Sequence, residues 1–183
     1  MKNIYPKLQG CGNSFLLVDE TKRGEIRDRK NFVIENADKE GVEGVLFLRR
    51  DSSGLIEMII YDRDGTYETM CGNGIRCFAR YAYDREYLNG KSKILTGDGI
   101  KTVEMVQRGI EVDMGEPRGF GSLERDTYFV YTGVPHLILF REELSLEDAR
   151  NTGRRLRSDK NLGKRLGYEN GININFVKTT SRS

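Results

Sequence analysis

An α+β fold follows from three observations on the 183 residues: short apolar runs punctuated by glycine turns, only three helical stretches among them, and one helix too apolar to lie on a surface. Glycine supplies 21 residues, more than the ~7% of an average chain, and most sit where a turn is wanted. Leu16-Leu17-Val18 is a short run after the turn Gly10-Cys11-Gly12-Asn13, and residues 32–37 are weakly helical. Residues 45–48 and 55–61 are apolar runs separated by Asp51-Ser52-Ser53-Gly54, a turn signal that predicts a hairpin. Residues 94–96, 102–106 and 110–114, broken at Asp98-Gly99 and Arg108-Gly109, read as a meander. Its last run alternates Ile110, Val112 and Met114 inward with Glu111 and Asp113 outward, the period of a half-buried strand.

Between hairpin and meander lie residues 71–87, CGNGIRCFARYAYDREY. Ile75, Phe78, Ala79 and Ala82 share one helical face, Arg76, Arg80 and Asp84 take another, and the apolar character of residues 75–83 predicts burial. A further helix starts at Ser145-Leu146-Glu147-Asp148, a capping-box-like signal, with Leu146, Ala149, Gly153 and Leu156 on one face. Residues 154–165 carry six basic side chains against Asp159 alone, without interleaved aromatics, which reads as a solvated face. The composition changes at Gly115-Glu116-Pro117, where a loop of Gly, Arg and Ser begins, so the predicted domains are residues 1–115 and 116–183.

The charge balance narrows the function. Thirty Lys and Arg against 28 Asp and Glu leave a net charge of +2, which argues against a dedicated nucleic-acid binder. No stretch approaches the ~20 apolar residues of a membrane span and no signal-peptide core is evident, so a cytoplasmic protein is expected. Cys11, Cys71 and Cys77 make an odd count, and free thiols are expected. With His136 as the single histidine and no metal-ligand spacing or phosphate-loop motif, neither a metal nor a nucleotide cofactor is expected.

Cys71 precedes Gly72-Asn73-Gly74 and then the helix, which puts a thiol beside free backbone N–H groups. Two readings follow: a thiol whose pKa falls below ~8.5, ready to act as base or nucleophile beside a docked carboxylate, or a small buried residue before a turn.

The stretch DGTYETMCGNGIRCFARY resembles the signature around the first catalytic cysteine of the diaminopimelate epimerase family, CGNGxRC after a DGS/T turn. GCGNSFLLVDE is similar to that family's GxGNDFxxxD, TGVPHLILF to its G[NV]PH strand, GVEGVLFL to its G-x-D/E-G-V-L stretch and GININFV to its G-x-N-x-N-F-V strand. The matches run in order over residues 7–177. The resemblance implies a mixed or antiparallel sheet wrapped around a central helix, in two pseudo-symmetric domains of which the second is incomplete in this sequence. It implies a cofactor-independent isomerase that interconverts LL- and meso-diaminopimelate, with one cysteine on each face of the substrate α-carbon. Homodimers are common in the family.

Carried over by position, the resemblance makes Cys71 a catalytic acid/base and places Asn13, Asp62, Gly72, Asn73, His136 and Asn173 around an amino-acid substrate. Cys11 and Cys77 read as structural. Two positions depart from the family pattern: Asp62 stands where an asparagine is common, and Val134 replaces the asparagine of GNPH. The sequence ends at Ser183, before any counterpart of the family's ERGxGxT and ACGTG segments, so a second catalytic cysteine is not among these residues. Two rival readings remain: a racemase of another amino acid, and a module that binds an amino acid without chemistry.

Overall fold

A computed structural model describes residues 5–169 and 171–180. The chain forms two compact units, Met1–Met114 and Gly115–Ser183.

The first unit opens with the hairpin β1 (Lys7–Gly10) and β2 (Asn13–Asp19), turned through Cys11 at φ 52° and Gly12 at φ 93°. A single helical turn, α1 (Glu20–Arg23), leads to α2 (Arg29–Glu40), longer than the weak signal at 32–37 suggests. Its ends account for the extra length. Asp28 accepts from the Asn31 N–H at one end, and Gly41 closes the other at φ 62°. The crossover through α2 brings β3 (Gly44–Arg50) alongside β2 in parallel. The expected hairpin follows, with β4 (Ile56–Asp62) antiparallel to β3 and Asp51 Oδ1 accepting from the Ser53 and Leu55 N–H groups in the turn. A two-residue strand, β5 (Tyr67–Glu68), pairs with β4 and delivers the chain to α3 (Gly72–Asp84). The meander β6 (Lys91–Thr96), β7 (Gly99–Val106) and β8 (Gly109–Asp113) completes the sheet, in the order β1-β2-β3-β4-β6-β7-β8.

Strand alternation gives this sheet two apolar faces. Leu16, Val18, Val45, Phe47 and Ile59 pack on Val33 and Ala37 of α2. The intervening residues Leu17, Leu46 and Ile60 form a cross-strand row on the other face. That face takes α3, which touches β1, β2, β3, β4, β7 and β8, so the mixed sheet curls around it as a half-barrel. Ile75, Phe78, Ala79 and Ala82 are fully buried, as the helix's apolar character predicts. Gly74 permits the contact, because a Cβ there would lie 3.3 Å from both Leu46 and Ile60. The helix stops at Asp84 rather than running to Tyr87, since Glu86 adopts φ 60° and turns the chain out. Buried Asp19 at the end of β2 accepts from the Tyr81 and Tyr87 hydroxyls, which ties β2 to α3.

The second unit is a four-stranded sheet in the order β12-β11-β10-β9. The stretch read as a Gly, Arg and Ser loop is in fact strand β9 (Arg118–Glu124), hairpinned to β10 (Thr127–Tyr131) through Asp126 at φ 59°. Two register shifts break its alternation, and Gly119 takes φ 62° to lie against the Phe129 ring, so the strand has no clean period to read. β11 (Pro135–Phe140) pairs antiparallel with β10 and parallel with β12 (Asn173–Val177), joined through α4 (Leu146–Arg157) and α5 (Lys160–Leu166).

Ser145 caps α4 reciprocally with Asp148, as its sequence predicts. Leu146, however, is 78% exposed and not part of the packed face; α4 meets β12 further along, where Gly153 lies against the Phe176 ring. The basic segment after α4 forms a further helix, not among the three stretches expected, because Asp159 caps it by accepting from the Asn161 and Leu162 N–H groups. Its basic side chains are exposed. Leu137, Leu139 and Ile172 form the core under these helices. Among the described residues no helix is long and apolar enough to cross a membrane.

Because Phe78 fills the centre of the half-barrel, Phe78→Ala is expected to destabilise the protein by about 3–5 kcal/mol in chemical denaturation. A loss below about 1 kcal/mol would show that the helix is not the core element described.

Candidate active site

The first unit gathers Cys71, Gly72, Asn73 and Asn13 at the N-terminus of α3. Cys71 is the N-cap residue, with extended backbone at φ −144°, and its Sγ accepts from the Gly74 N–H at 3.3 Å. The Asn73 backbone also acts on the sulfur, in the direction that lowers its pKa. Beside the thiol, Asn73 Nδ2 donates to Asn13 Oδ1 at 2.5 Å, and Asn13 Nδ2 donates to Glu43 Oε2 at 2.5 Å. Asn13 stands at the first residue of β2, so the turn after β1 delivers it to the helix end.

The two glycines have different reasons to be glycine. A side chain at Gly74 would enter the packed core, whereas one at Gly72 would meet nothing nearer than Arg76 Nη1 at 3.9 Å. A Cβ at Gly72 would therefore be tolerated, in ordinary contact with Arg76. Cys77, one turn further, is buried and faces β1: a Cβ on Gly10 would lie 2.7 Å from its Sγ. Cys11 is exposed, and all three cysteines are free.

The expected lowering of the Cys71 pKa is not what the structure gives. Burial pushes the thiol above its ordinary value, and the Asp62 charge adds to the rise. The Gly74 and Asn73 N–H groups and the Arg76 guanidinium pull it down, but burial outweighs them. The sequence displays the amides and the helix dipole; it does not display how deeply β5 and α3 seat the sulfur. In the free protein the balance of these influences favours the thiol over the thiolate.

His136 and Asn173 belong to the second unit, where they are register partners on β11 and β12. Burial holds the imidazole below its ordinary pKa, and Asn175 Nδ2 lies 3.0 Å from His136 Nδ1. Arg157 donates to Asn173 Oδ1 at 2.9 Å. Three polar neighbours were missed at the sequence level: Glu43, Arg76 and Asn175. Asn175 could have been found from the two-residue spacing in Asn173-Ile174-Asn175, which puts both amides on one strand face.

A family model described as diaminopimelate epimerase matches residues 5–119, which take in strands β1 to β8 and the cysteine loop. The diaminopimelate epimerase of Methanocella arvoryzae is 31% identical, over 95% of this chain and 69% of that protein. This chain belongs to the diaminopimelate epimerase family. The Clostridium perfringens diaminopimelate epimerase is 30% identical over 98% of this chain and 73% of its own length. These relatives are named epimerases, so the family is one of isomerases. Among solved structures, the chain is similar to a Bacillus anthracis protein of the PhzF phenazine-biosynthesis family, with a TM-score of 0.60, 17% identity and coverage of 97% of this chain and 67% of that one. It is similar also to a hydroxyproline epimerase from Agrobacterium vitis, with a TM-score of 0.61, 12% identity and coverage of 88% and 59%. At those identities the likeness is one of fold, and it places the diaminopimelate epimerase family chain in the fold class expected of it.

Accessibility sets an order of thiol labelling: Cys11 first, Cys71 next and slowly at neutral pH, Cys77 only on unfolding. Mass spectrometry of the iodoacetamide-treated protein checks this, and labelling of Cys71 ahead of Cys11 at pH 7 would contradict it.

Proposed function

We propose that the protein is a cofactor-independent amino-acid epimerase in which Cys71 moves a proton at the α-carbon of diaminopimelate, interconverting the LL and meso forms. The observation that carries this reading is the thiol at the mouth of α3, its sulfur accepting from the Gly74 N–H, with the Asn13–Asn73 amide pair beside it and room for a Cβ at Gly72.

An amino-acid α-hydrogen is a very weak acid, so the barrier falls only if the electron pair left on the carbon is stabilised as it forms. A substrate carboxylate seated on the Gly72 and Asn73 amides at the helix N-terminus would take up that charge. The reaction is proton in, proton out. In one direction the Cys71 thiolate takes the α-hydrogen as a proton, leaving the C–H electron pair on the α-carbon, while an acid on the opposite face supplies a proton to it. In the other direction the Cys71 thiol gives its proton to the carbanion. Microscopic reversibility requires that Cys71 serve both turns, and a sulfur with N–H donors around it but a pKa raised by burial can hold either state. The family resemblance assigns the opposite acid to a second cysteine beyond the GxNxNFV strand. Within the first unit, Asn13 and Asp62 are the polar groups that would position the amino acid; His136 and Asn173 keep the substrate-binding roles that the family resemblance gives them.

A second reading, a racemase of a different amino acid, is favoured by Asp62, whose negative charge acts on Cys71 and would repel a further substrate carboxylate.

The test is incubation with LL-diaminopimelate in deuterium oxide. Deuterium should enter at an α-carbon; Cys71→Ser should slow this by roughly 10²–10⁴-fold, the typical worth of a general acid/base. Cys77→Ser should leave the rate within a few-fold. Binding without deuterium uptake would replace the epimerase by an amino-acid-binding module, and equal sensitivity at both cysteines would overturn the assignment of Cys71.

A further inference from the structure

The groups around Cys71 form a single directed chain of hydrogen bonds. Arg76, on the first turns of α3, donates through Nη2 to Asn73 Oδ1 and to Cys11 Sγ, the latter at 3.4 Å. Asn73 Nδ2 then donates to Asn13 Oδ1, and Asn13 Nδ2 to the Glu43 carboxylate. A guanidinium only donates and a carboxylate only accepts, so the two ends of this chain cannot reverse. Each asparagine between them could in isolation sit either way round. Here a flip of Asn73 would press its amino group against the guanidinium, and a flip of Asn13 would press its carbonyl against the carboxylate.

We infer that Arg76 is a positioning residue that fixes the orientation of the Asn13 and Asn73 amides, and thereby the pattern of donors and acceptors that the site offers to a zwitterionic amino acid. The inference rests on the reading that an amino acid binds before Gly72. With the chain polarised this way, each asparagine keeps one amide hydrogen outside the chain, suited to a carboxylate oxygen, and Asn13 Oδ1 keeps one lone pair, suited to an ammonium group. Both kinds of partner are needed for an amino acid. The guanidinium's planar fork of N–H donors matters because the two hydrogens of Nη2 are held at fixed angles, toward acceptors on different elements, Asn73 on α3 and Cys11 in the β1–β2 turn. The Nη2 hydrogen donated to Cys11 ties the turn that carries Asn13 to the helix that carries Asn73. Arg76 also bears on the sulfur, since its charge is one of the influences lowering the Cys71 thiol.

These two effects separate experimentally. Arg76→Lys keeps the charge and loses the fork; Arg76→Met loses both. The variants are compared in α-hydrogen exchange of LL-diaminopimelate, as KM, kcat and the pH dependence of kcat. The fork predicts a KM raised by about 10-fold or more in both variants, the cost of a hydrogen bond to a charged group. The charge predicts an alkaline shift of the pH profile in Arg76→Met that Arg76→Lys largely reverses. Wild-type KM in Arg76→Lys would overturn the positioning role, leaving a charge effect alone. The side-chain amide NMR signals of Asn13 and Asn73 in the ligand-free protein read the network without turnover, with α3 backbone signals as the check on folding. Both pairs should shift in Arg76→Met while the helix signals persist; unmoved amide signals would overturn the inference whatever the kinetics show. Shifted amides in a protein whose wild type exchanges no hydrogen would sustain the Arg76 network and count against the epimerase reading instead.

Discussion

The architecture of the first unit turns on one contact, the N–H of Gly74 donated to the sulfur of Cys71 at the start of a helix enclosed by a sheet. A helix N-terminus needs acceptors for its first amides, and an oxygen-bearing Ser, Thr, Asp or Asn is the usual one. Here a thiol fills that place, half-buried between β5 and the helix. The sulfur is thereby subject to two opposed demands: the amides favour its charged form, and the low-dielectric surroundings disfavour it. Burial prevails, with the Asp62 charge on the same side. A group balanced between such demands suits a reaction in which it must give up and regain a proton in every cycle.

The rest of the half-barrel serves to hold that helix end still. Ile75, Phe78, Ala79 and Ala82 lock α3 into the concave face, and Gly10 and Gly74 let β1, Leu46 and Ile60 come within van der Waals range of it. The β1–β2 turn is held by a left-handed residue, Cys11, and a glycine, so Asn13 emerges at the mouth of the helix rather than along its side. Arg76 then joins helix, turn and asparagines in one polar chain. In the second unit a parallel β11–β12 pair, formed through a helical crossover as β2 and β3 are through α2, presents His136, Asn173 and Asn175 together.

Much of this was legible in the sequence, for physical reasons that differ by element. The hairpin around Asp51 and the meander after Lys91 carry turn residues at the right offsets and clean two-residue alternation. The apolar character of residues 75–83 announced a buried helix, and the run Cys71-Gly72-Asn73-Gly74 announced a thiol at its start. Strand β9 stayed hidden because its glycines and register shifts erase the period, and α5 because its cap, Asp159, sits within a basic stretch whose charge marks a solvated face but not a backbone conformation. Which of the two readings of Cys71 holds is not written in the local sequence, since that shows the amides whereas depth is a property of the assembled sheet. Glu43 and Arg76 carry no signal in the sequence, because each is an ordinary charged residue until the fold brings it to an asparagine.

The central claim is that Cys71 is a protonated, amide-capped thiol in the resting protein, and titration of its sulfur tests it most directly. With ¹³Cβ-cysteine incorporated and Cys11 and Cys77 replaced by Ser and Ala, the Cys71 signal should titrate above the ~8.5 of a free thiol, and Asp62→Asn should bring the midpoint down. A midpoint below that value in the free protein would mean that the amides and the helix dipole win over burial, contradicting the account.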